Sequence, residues 1–158
     1  MKRLEHMNIL LVGNNPTELS IANQSVVAFR KSILKTTVLF NFKKLTQSIK
    51  LLNPSGIFID DKLNLKEIKK VIYKLHRNKN TSHIPVTIIK SSNYTSYPNL
   101  GADDFILHTN LNGSSIYNSV INGKQFRKSR IYFIKVYRKQ KGKIAQAKEK
   151  LEEIIFGF

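Results

Sequence analysis

Two short apolar segments of the chain each end in polar residues that could carry chemistry. The first, NILLVGNN, has Gly13 and Asn14 at its end, and the second, PSGIFID, ends in Asp60 and is followed by Asp61. Carboxylate oxygens are the ligands that Mg²⁺ prefers, so the two aspartates could bind a cation weakly. Because adjacent residues of a strand point to opposite faces, we expect the two carboxylates not to share one ion.

The elements that would position these residues alternate between strands and helices. Apolar or β-branched runs predict five strands, at residues 9–12, 36–40, 56–59, 84–89 and 104–107. Apolar residues at three- and four-residue spacing predict helices between them. The first helix is expected to begin at Pro16, the third to end near Asn78, and the fifth to end at the Asn-Gly pair 122–123. The polar segment 91–98 has room for one short helix.

Strands and helices that alternate at this spacing predict an α/β fold with a parallel sheet and helices on both faces. We expect a flavodoxin-like, doubly wound five-stranded sheet of order 2-1-3-4-5, whose functional site lies at the carboxyl ends of strands one and three. Those ends are the two places where the polar residues fall. We expect this domain to cover residues 1–123 and a basic, amphipathic C-terminal helical extension to cover residues 124–158.

Four segments, in order, carry a resemblance to a known family. ILLVGNNPTEL, PSGIFIDD, IPVTIIKSS and GADDFILHT resemble the receiver domain of two-component response regulators over about residues 7–123. The resemblance implies that Asp60 stands at the phospho-acceptor position. It also implies a degenerate pocket, because positions that usually hold two acids, a Thr or Ser, and a Lys hold other residues. The pocket positions are Gly13, Asn14, Asp61, Lys90, Ser91 and His108.

These replacements bear on the chemistry that the family resemblance implies. Phosphoryl transfer to a carboxylate needs Mg²⁺ to neutralise the incoming oxygens, and Gly13 and Asn14 offer no anionic ligand. His108 is mostly neutral near pH 7, whereas Lys90 adds a fixed positive charge near the site. We therefore interpret the chain as a pseudo-receiver that is not an enzyme, with no catalytic residue, no metal and no cofactor. The alternative is a phosphorylatable response regulator that uses Mg²⁺ and Asp60.

The charge of the chain is strongly positive. The formal net charge is +17, which favours anionic partners. Four lysines at intervals of four residues could form an anion-facing stripe on the third helix: Lys62, Lys66, Lys70 and Lys74. A general compositional bias toward Lys, Asn and Ile would give the same charge without any anionic partner.

The receiver resemblance also implies the kind of partner. It points to a histidine kinase or another signalling protein in a phosphorelay, and to homodimer contacts through residues 92–122, while a homodimer through the tail is suggested by the tail sequence itself. The tail interleaves aromatics and cations in FRKSRIYFIKVYRK and then carries an apolar seam at residues 144, 147, 151, 154 and 158. We favour packing of this seam on the domain or on a second tail. Two further alternatives are binding of nucleic acid by the basic tail and contact of the tail with an anionic membrane surface.

Several classes of site and location are disfavoured by the sequence. The chain has no cysteine, which excludes disulfides and thiolate metal sites and agrees with a cytoplasmic location. No run reaches the roughly 18 apolar residues of a membrane span. His6, His76 and His83 show no metal-ligand spacing, and neither a phosphate loop nor a dinucleotide fingerprint occurs.

Overall fold

The computed structural model of the protein describes residues 6–29, 33–92 and 100–157. Five strands form one parallel sheet in the order β2-β1-β3-β4-β5, which confirms the predicted flavodoxin-like architecture. The strands are β1 (Met7–Val12), β2 (Leu34–Leu39), β3 (Gly56–Asp60), β4 (Val86–Lys90) and β5 (Asp104–Leu107). The helices are α1 (Pro16–Ala28), α2 (Leu45–Leu52), α3 (Leu65–Arg77) and α4 (Gly113–Phe156).

Local sequence explains where the first and third helices begin. The side chain of Asn15 accepts hydrogen bonds from the backbone N–H groups of the first turn of α1, and Pro16 occupies the first helical position. Asn64 caps α3 in the same way. Both caps lie just after strands that end at the same edge of the sheet, so they fix the path of the chain beside the candidate site.

The core consists of two apolar layers, one on each face of the sheet. Alternate residues of β1 and β3 point to opposite layers, as in Ile9 and Leu10. One layer contains side chains of α1 and α4, and the other contains side chains of α2 and α3. This arrangement buries both faces of β3 completely, which explains why its sequence is almost continuously apolar.

The predicted end of the last helix at residues 122–123 is wrong. Helix α4 continues to Phe156, and Gly123 is a buried residue inside it. A Cβ at Gly123 would lie 2.5 Å from the Cβ of Pro85, so this glycine permits the close approach of helix and loop. The Asn-Gly pair therefore reflects packing and does not terminate the helix.

The chain divides into two compact units, Met1–Arg127 and Lys128–Phe158. The first contains the sheet and the candidate site. The second is helical through Phe156, and its described residues are exposed except for the half-buried Ile131 and Val136. The apolar seam of the tail is therefore solvent-exposed at residues 144, 147, 151 and 154, and residue 158 lies outside the described residues.

The polar segment after β4 and the membrane-span prediction remain to be compared with the structure. Most of the segment 91–98, in which a short helix is predicted, lies outside the described residues, because residues 93–99 are not described. Across residues 6–29, 33–92 and 100–157, no helix has the length and apolar character needed to cross a membrane.

Candidate functional site

The polar residues at the carboxyl ends of the strands converge at one edge of the sheet. Asp60 ends β3, and His108 directly follows β5. Glu18 reaches the same place from the first turn of α1, and Lys62 reaches it from the turn after β3. Beside these groups lies a cavity of about 330 Å³, lined by Glu18, Ile21, Ala22, Lys62, Ser91, His108, Thr109 and Leu111.

The carboxylate of Asp60 is fully buried and already has partners from the chain. Its Oδ1 accepts the backbone N–H of Lys62 at 2.9 Å and lies 3.5 Å from Nε2 of His108. Burial by itself would raise the pKa of this carboxyl, but the His108 imidazole and the Lys62 N–H hold the pKa below its usual value. Asp60 is therefore an anion that the protein itself stabilises.

His108 supplies positive charge where the resemblance places a lysine. Contact with Asp60 raises the pKa of the imidazole above its ordinary value, although burial and the nearby Lys62 ammonium oppose this change. Glu18 also favours the protonated form, since its Oε2 lies 3.8 Å from His108 Nε2. The expectation that His108 is mostly neutral near pH 7 took no account of these two carboxylates, which favour the protonated imidazole.

Lys62 forms a second ion pair beside the first. Its ammonium contacts Oε1 of Glu18, and this hydrogen bond raises the pKa of Lys62. The four groups together carry two negative charges and, with His108 protonated, two positive charges. The charges of the cluster Glu18–Asp60–Lys62–His108 thus balance when His108 is protonated.

The donor set of this cluster does not fit Mg²⁺. One ligand atom from each of Glu18, Asp60 and His108 lies within 4.8 Å of the others, and Glu18 Oε2, Asp60 Oδ2 and His108 Nε2 are buried without a hydrogen bond. However, Mg²⁺ prefers oxygen ligands in an octahedral shell, and imidazole suits softer ions. The Lys62 ammonium would also repel a cation at this position.

Asp61 points away from Asp60 and binds the end of β4. Its Oδ1 accepts the Ser91 hydroxyl at 2.6 Å, and its Oδ2 accepts the Ser91 N–H at 2.9 Å. Lys90 lies with its ammonium 5.8 Å from the centroid of the Phe105 ring, and the Lys62 ammonium contributes to lowering the pKa of Asp60. Asp61 therefore binds Ser91, whereas Asp60 contacts His108 and the Lys62 N–H.

Gly13 and Asn14 occupy the remaining pocket positions. A Cβ at Gly13 would lie 3.1 Å from both the Asp60 Cβ and the Leu19 Cδ2, so a side chain there would crowd the site. Asn14 is exposed, and its side-chain amide donates to the Lys62 carbonyl at 3.5 Å. In this chain the end of β1 packs against Asp60 and contributes no anionic group.

The predicted lysine stripe on the third helix needs a correction. Lys62 precedes the N-cap of α3 and contacts Glu18, so it is not part of the stripe. Lys66, Lys70 and Lys74 are exposed along the helix, as the four-residue spacing predicts. A solvated face of three lysines remains there.

Sequence reasoning missed Glu18 and a second buried charge cluster. Glu18 is absent from the predicted site residues, yet its place in the first turn of α1, soon after the end of β1, could have indicated the site. In the second cluster, Asp103 pairs with Arg127, whose Nε lies 2.8 Å from Asp103 Oδ1, and with His76 at 3.8 Å. Arg127 was counted with the basic tail, but it is buried in the first unit.

Solved structures resemble this chain in fold. A sensor protein from Polaromonas sp. JS666 matches with a TM-score of 0.60 and 11% identity, covering 77% of this chain and 98% of that one. A putative response regulator from Chloroflexus aurantiacus matches with a TM-score of 0.58 and 14% identity over 74% and 99% of the two chains. A CheY-like response regulator receiver domain protein from Methanospirillum hungatei matches with a TM-score of 0.57 and 14% identity over 80% and 99%.

Neither a protein-family model nor a curated protein sequence matches the chain. The sheet order, the placement of Asp60 at the end of β3 and the structural matches agree with the resemblance seen in the sequence. The chain has the fold of a response-regulator receiver domain.

Proposed function

We propose that this chain is a receiver-like module of a two-component signalling system that works without phosphorylation of Asp60. The observation that carries the proposal is the set of contacts within the cluster Glu18–Asp60–Lys62–His108. The carboxylate at the acceptor position is buried and is contacted by His108 and Lys62. Groups of the chain therefore already make the contacts that a metal ion would make with this carboxylate in a phosphorylatable site.

The packing around Asp60 supports the same proposal. Gly13 provides no acidic side chain beside the acceptor position, a Cβ there would lie only 3.1 Å from the Asp60 Cβ, and the nearest imidazole is a poor ligand for Mg²⁺. Without an anionic pair to hold Mg²⁺, the charge on a transferring phosphoryl group would not be neutralised. The module then needs no cofactor, and it signals by binding.

The partner is a protein, either a histidine kinase or another component of a phosphorelay, and the location is the cytoplasm. The described part of the predicted contact face supports a protein partner, since Phe105 on the edge strand β5 is 44% exposed. The face from residue 100 to 122 contains few charges, which suits contact with a protein better than contact with DNA.

Acetyl phosphate tests phosphorylation directly. The full chain is incubated with acetyl phosphate and Mg²⁺, and its intact mass is measured. We expect no phosphoryl adduct, while a phosphorylatable receiver domain treated in parallel gains one. A stable adduct that Asp60→Asn removes would overturn the proposal and establish the phosphorylatable alternative. An adduct that survives in Asp60→Asn would indicate modification elsewhere and leave the acceptor position unmodified, as proposed.

A further inference from the structure

The second unit presents a regular apolar seam along a helix. In the helix that reaches Phe156, seven positions follow alternating four- and three-residue steps, which is the heptad spacing of a coiled coil. This seam includes residues 144, 147, 151 and 154 of the predicted tail seam and extends it toward the N-terminus. It consists of Phe133, Tyr137, Gln140, Ile144, Ala147, Leu151 and Ile154. Only Gln140 is polar among them.

The seam is solvent-exposed within the chain. Phe133, Tyr137 and Ile144 are 67–68% exposed, Leu151 is 56% exposed and Ile154 is 79% exposed. A helix of this composition gains little stability from its backbone alone, because most helical stability in proteins comes from packing of the apolar face. The exposed seam therefore requires an occupant.

The residues that flank the seam specify which occupant. Heptad positions e and g border the core of a coiled coil, and in the central part of this helix they are lysines: Lys141 and Lys148 at e, and Lys143 and Lys150 at g. The acidic residues of the second unit, Glu149, Glu152 and Glu153, fall at positions away from these borders. Along residues 141–150 the apolar seam is thus bordered by a rim of lysines, whereas the outer e and g positions are the apolar Ile134, Val136 and Ile155.

This rim disfavours pairing with a second copy of the chain. In a parallel pair, g of one helix meets e of the other, so Lys143 would face Lys148. In an antiparallel pair, e meets e and g meets g, which again places lysine against lysine. Like charges at these positions oppose association, and opposite charges favour it.

We infer that the helix of the second unit is one half of a heterotypic coiled coil whose partner is an acidic helix with an apolar heptad seam and Glu or Asp at its e and g positions. The basic rim of this helix would meet the acidic rim of the partner in both a parallel and an antiparallel coiled coil, and the two apolar seams would bury each other. The inference rests on the second unit alone and does not depend on the state of Asp60.

A charge-reversed copy of the protein serves as the probe. In Lys141→Glu/Lys143→Glu/Lys148→Glu/Lys150→Glu, the same seam carries an acidic rim. We expect this variant and the wild-type chain each to be monomeric at low micromolar concentration. An equimolar mixture should form a heterodimer in sedimentation velocity, with an affinity on the order of tenfold or more above either homodimer at low salt.

Two matched variants separate the seam from general charge attraction. Lys128→Glu/Lys135→Glu/Arg138→Glu/Lys139→Glu makes the same change in net charge at positions away from the rim, and we expect no heterodimer from it. Adding Ile144→Asp and Leu151→Asp to the rim-reversed copy should abolish the heterodimer. Circular dichroism establishes that each variant retains the folded first unit.

Three outcomes would overturn the inference. Wild-type chain that dimerises as tightly alone as with the rim-reversed copy would make a second copy the occupant. If both charge-reversed variants formed heterodimers with the wild-type chain equally well, net charge and not the position of the lysines along the seam would explain the association. Binding of wild-type chain to phosphatidylserine vesicles, without a heterodimer in the mixture, would assign the seam to an anionic membrane surface.

Discussion

Replacement of His108 by Gln removes the imidazolium charge beside Asp60 while keeping a side-chain donor at about the same reach. The two charges are 3.5 Å apart, which corresponds to about 5 kcal/mol of attraction at an effective dielectric constant near 20, before desolvation is counted. The His108 side chain is 21% exposed, and removing both groups from water offsets most of that attraction. We expect His108→Gln to lower the free energy of unfolding by about 1–2 kcal/mol at pH 6.

The effect should depend on pH in a definite direction. The pKa of His108 is raised in the folded state, so its stabilising contribution is complete below the unfolded pKa of about 6.5 and is lost as the pH rises through the folded pKa. The pKa of Asp60 is lowered, so its contribution is complete above about 3.9 and is lost as the pH falls through its folded pKa. The pair therefore stabilises the fold most between about pH 4 and 6.5.

Urea denaturation of wild type and His108→Gln at pH 6 and pH 9 measures the difference, and a proton NMR titration reads the His108 pKa directly. We expect the stability difference at pH 9 to fall below about half of its value at pH 6, and the His108 pKa to exceed about 6.5. A stability difference that is equal at both pH values, or a His108 pKa below that of a free histidine, would refute the reasoning.

Two further substitutions test the packing of the first unit. Gly13→Ala should lower the free energy of unfolding by about 1–2 kcal/mol, because the new methyl group would lie 3.1 Å from Asp60 Cβ and Leu19 Cδ2; Gly142→Ala, where nothing lies within 4 Å, is the control and should not destabilise. Thermal unfolding followed by circular dichroism distinguishes them, and equal melting temperatures would contradict the crowding at position 13. Arg127→Met should cost about 3 kcal/mol in urea denaturation, because it removes the cation 2.8 Å from the buried Asp103 carboxylate. Lys128→Met, at an exposed neighbouring position, should cost less than about 0.5 kcal/mol, and a similar loss in both variants would argue against the buried pair.

The order of elements and the location of the site could be predicted from the sequence because they depend on local patterns. Apolar runs that alternate with helical spacing specify a parallel sheet, and short polar signals such as Asn15-Pro16 specify where helices begin. Asp60 follows such a run, so its place at the carboxyl edge of the sheet was predictable. The end of α4 was not, because Gly123 serves a contact with Pro85 that is distant in sequence.

The partners of Asp60 depend on distances across the fold. Glu18 and Lys62 are 44 residues apart in sequence, yet they pair beside the carboxylate, and this pairing corrected the assignment of Lys62 to a helical stripe. His108 was known as a pocket position, but its charge state depends on two carboxylates that lie on other elements. No local pattern contains that information, because electrostatic coupling follows spatial separation.

The sequence by itself determined the fold class, the edge at which the site lies and the absence of an acidic pair after β1, since each follows from residue types read along the chain. Only the tertiary structure decided that Asp60 is buried against His108 and that Glu18 and Lys62 complete the cluster of paired charges. The same holds for the exposure of the tail seam. Charge balance and burial are properties of groups brought together in space, so they are fixed when the chain folds and cannot be assigned residue by residue.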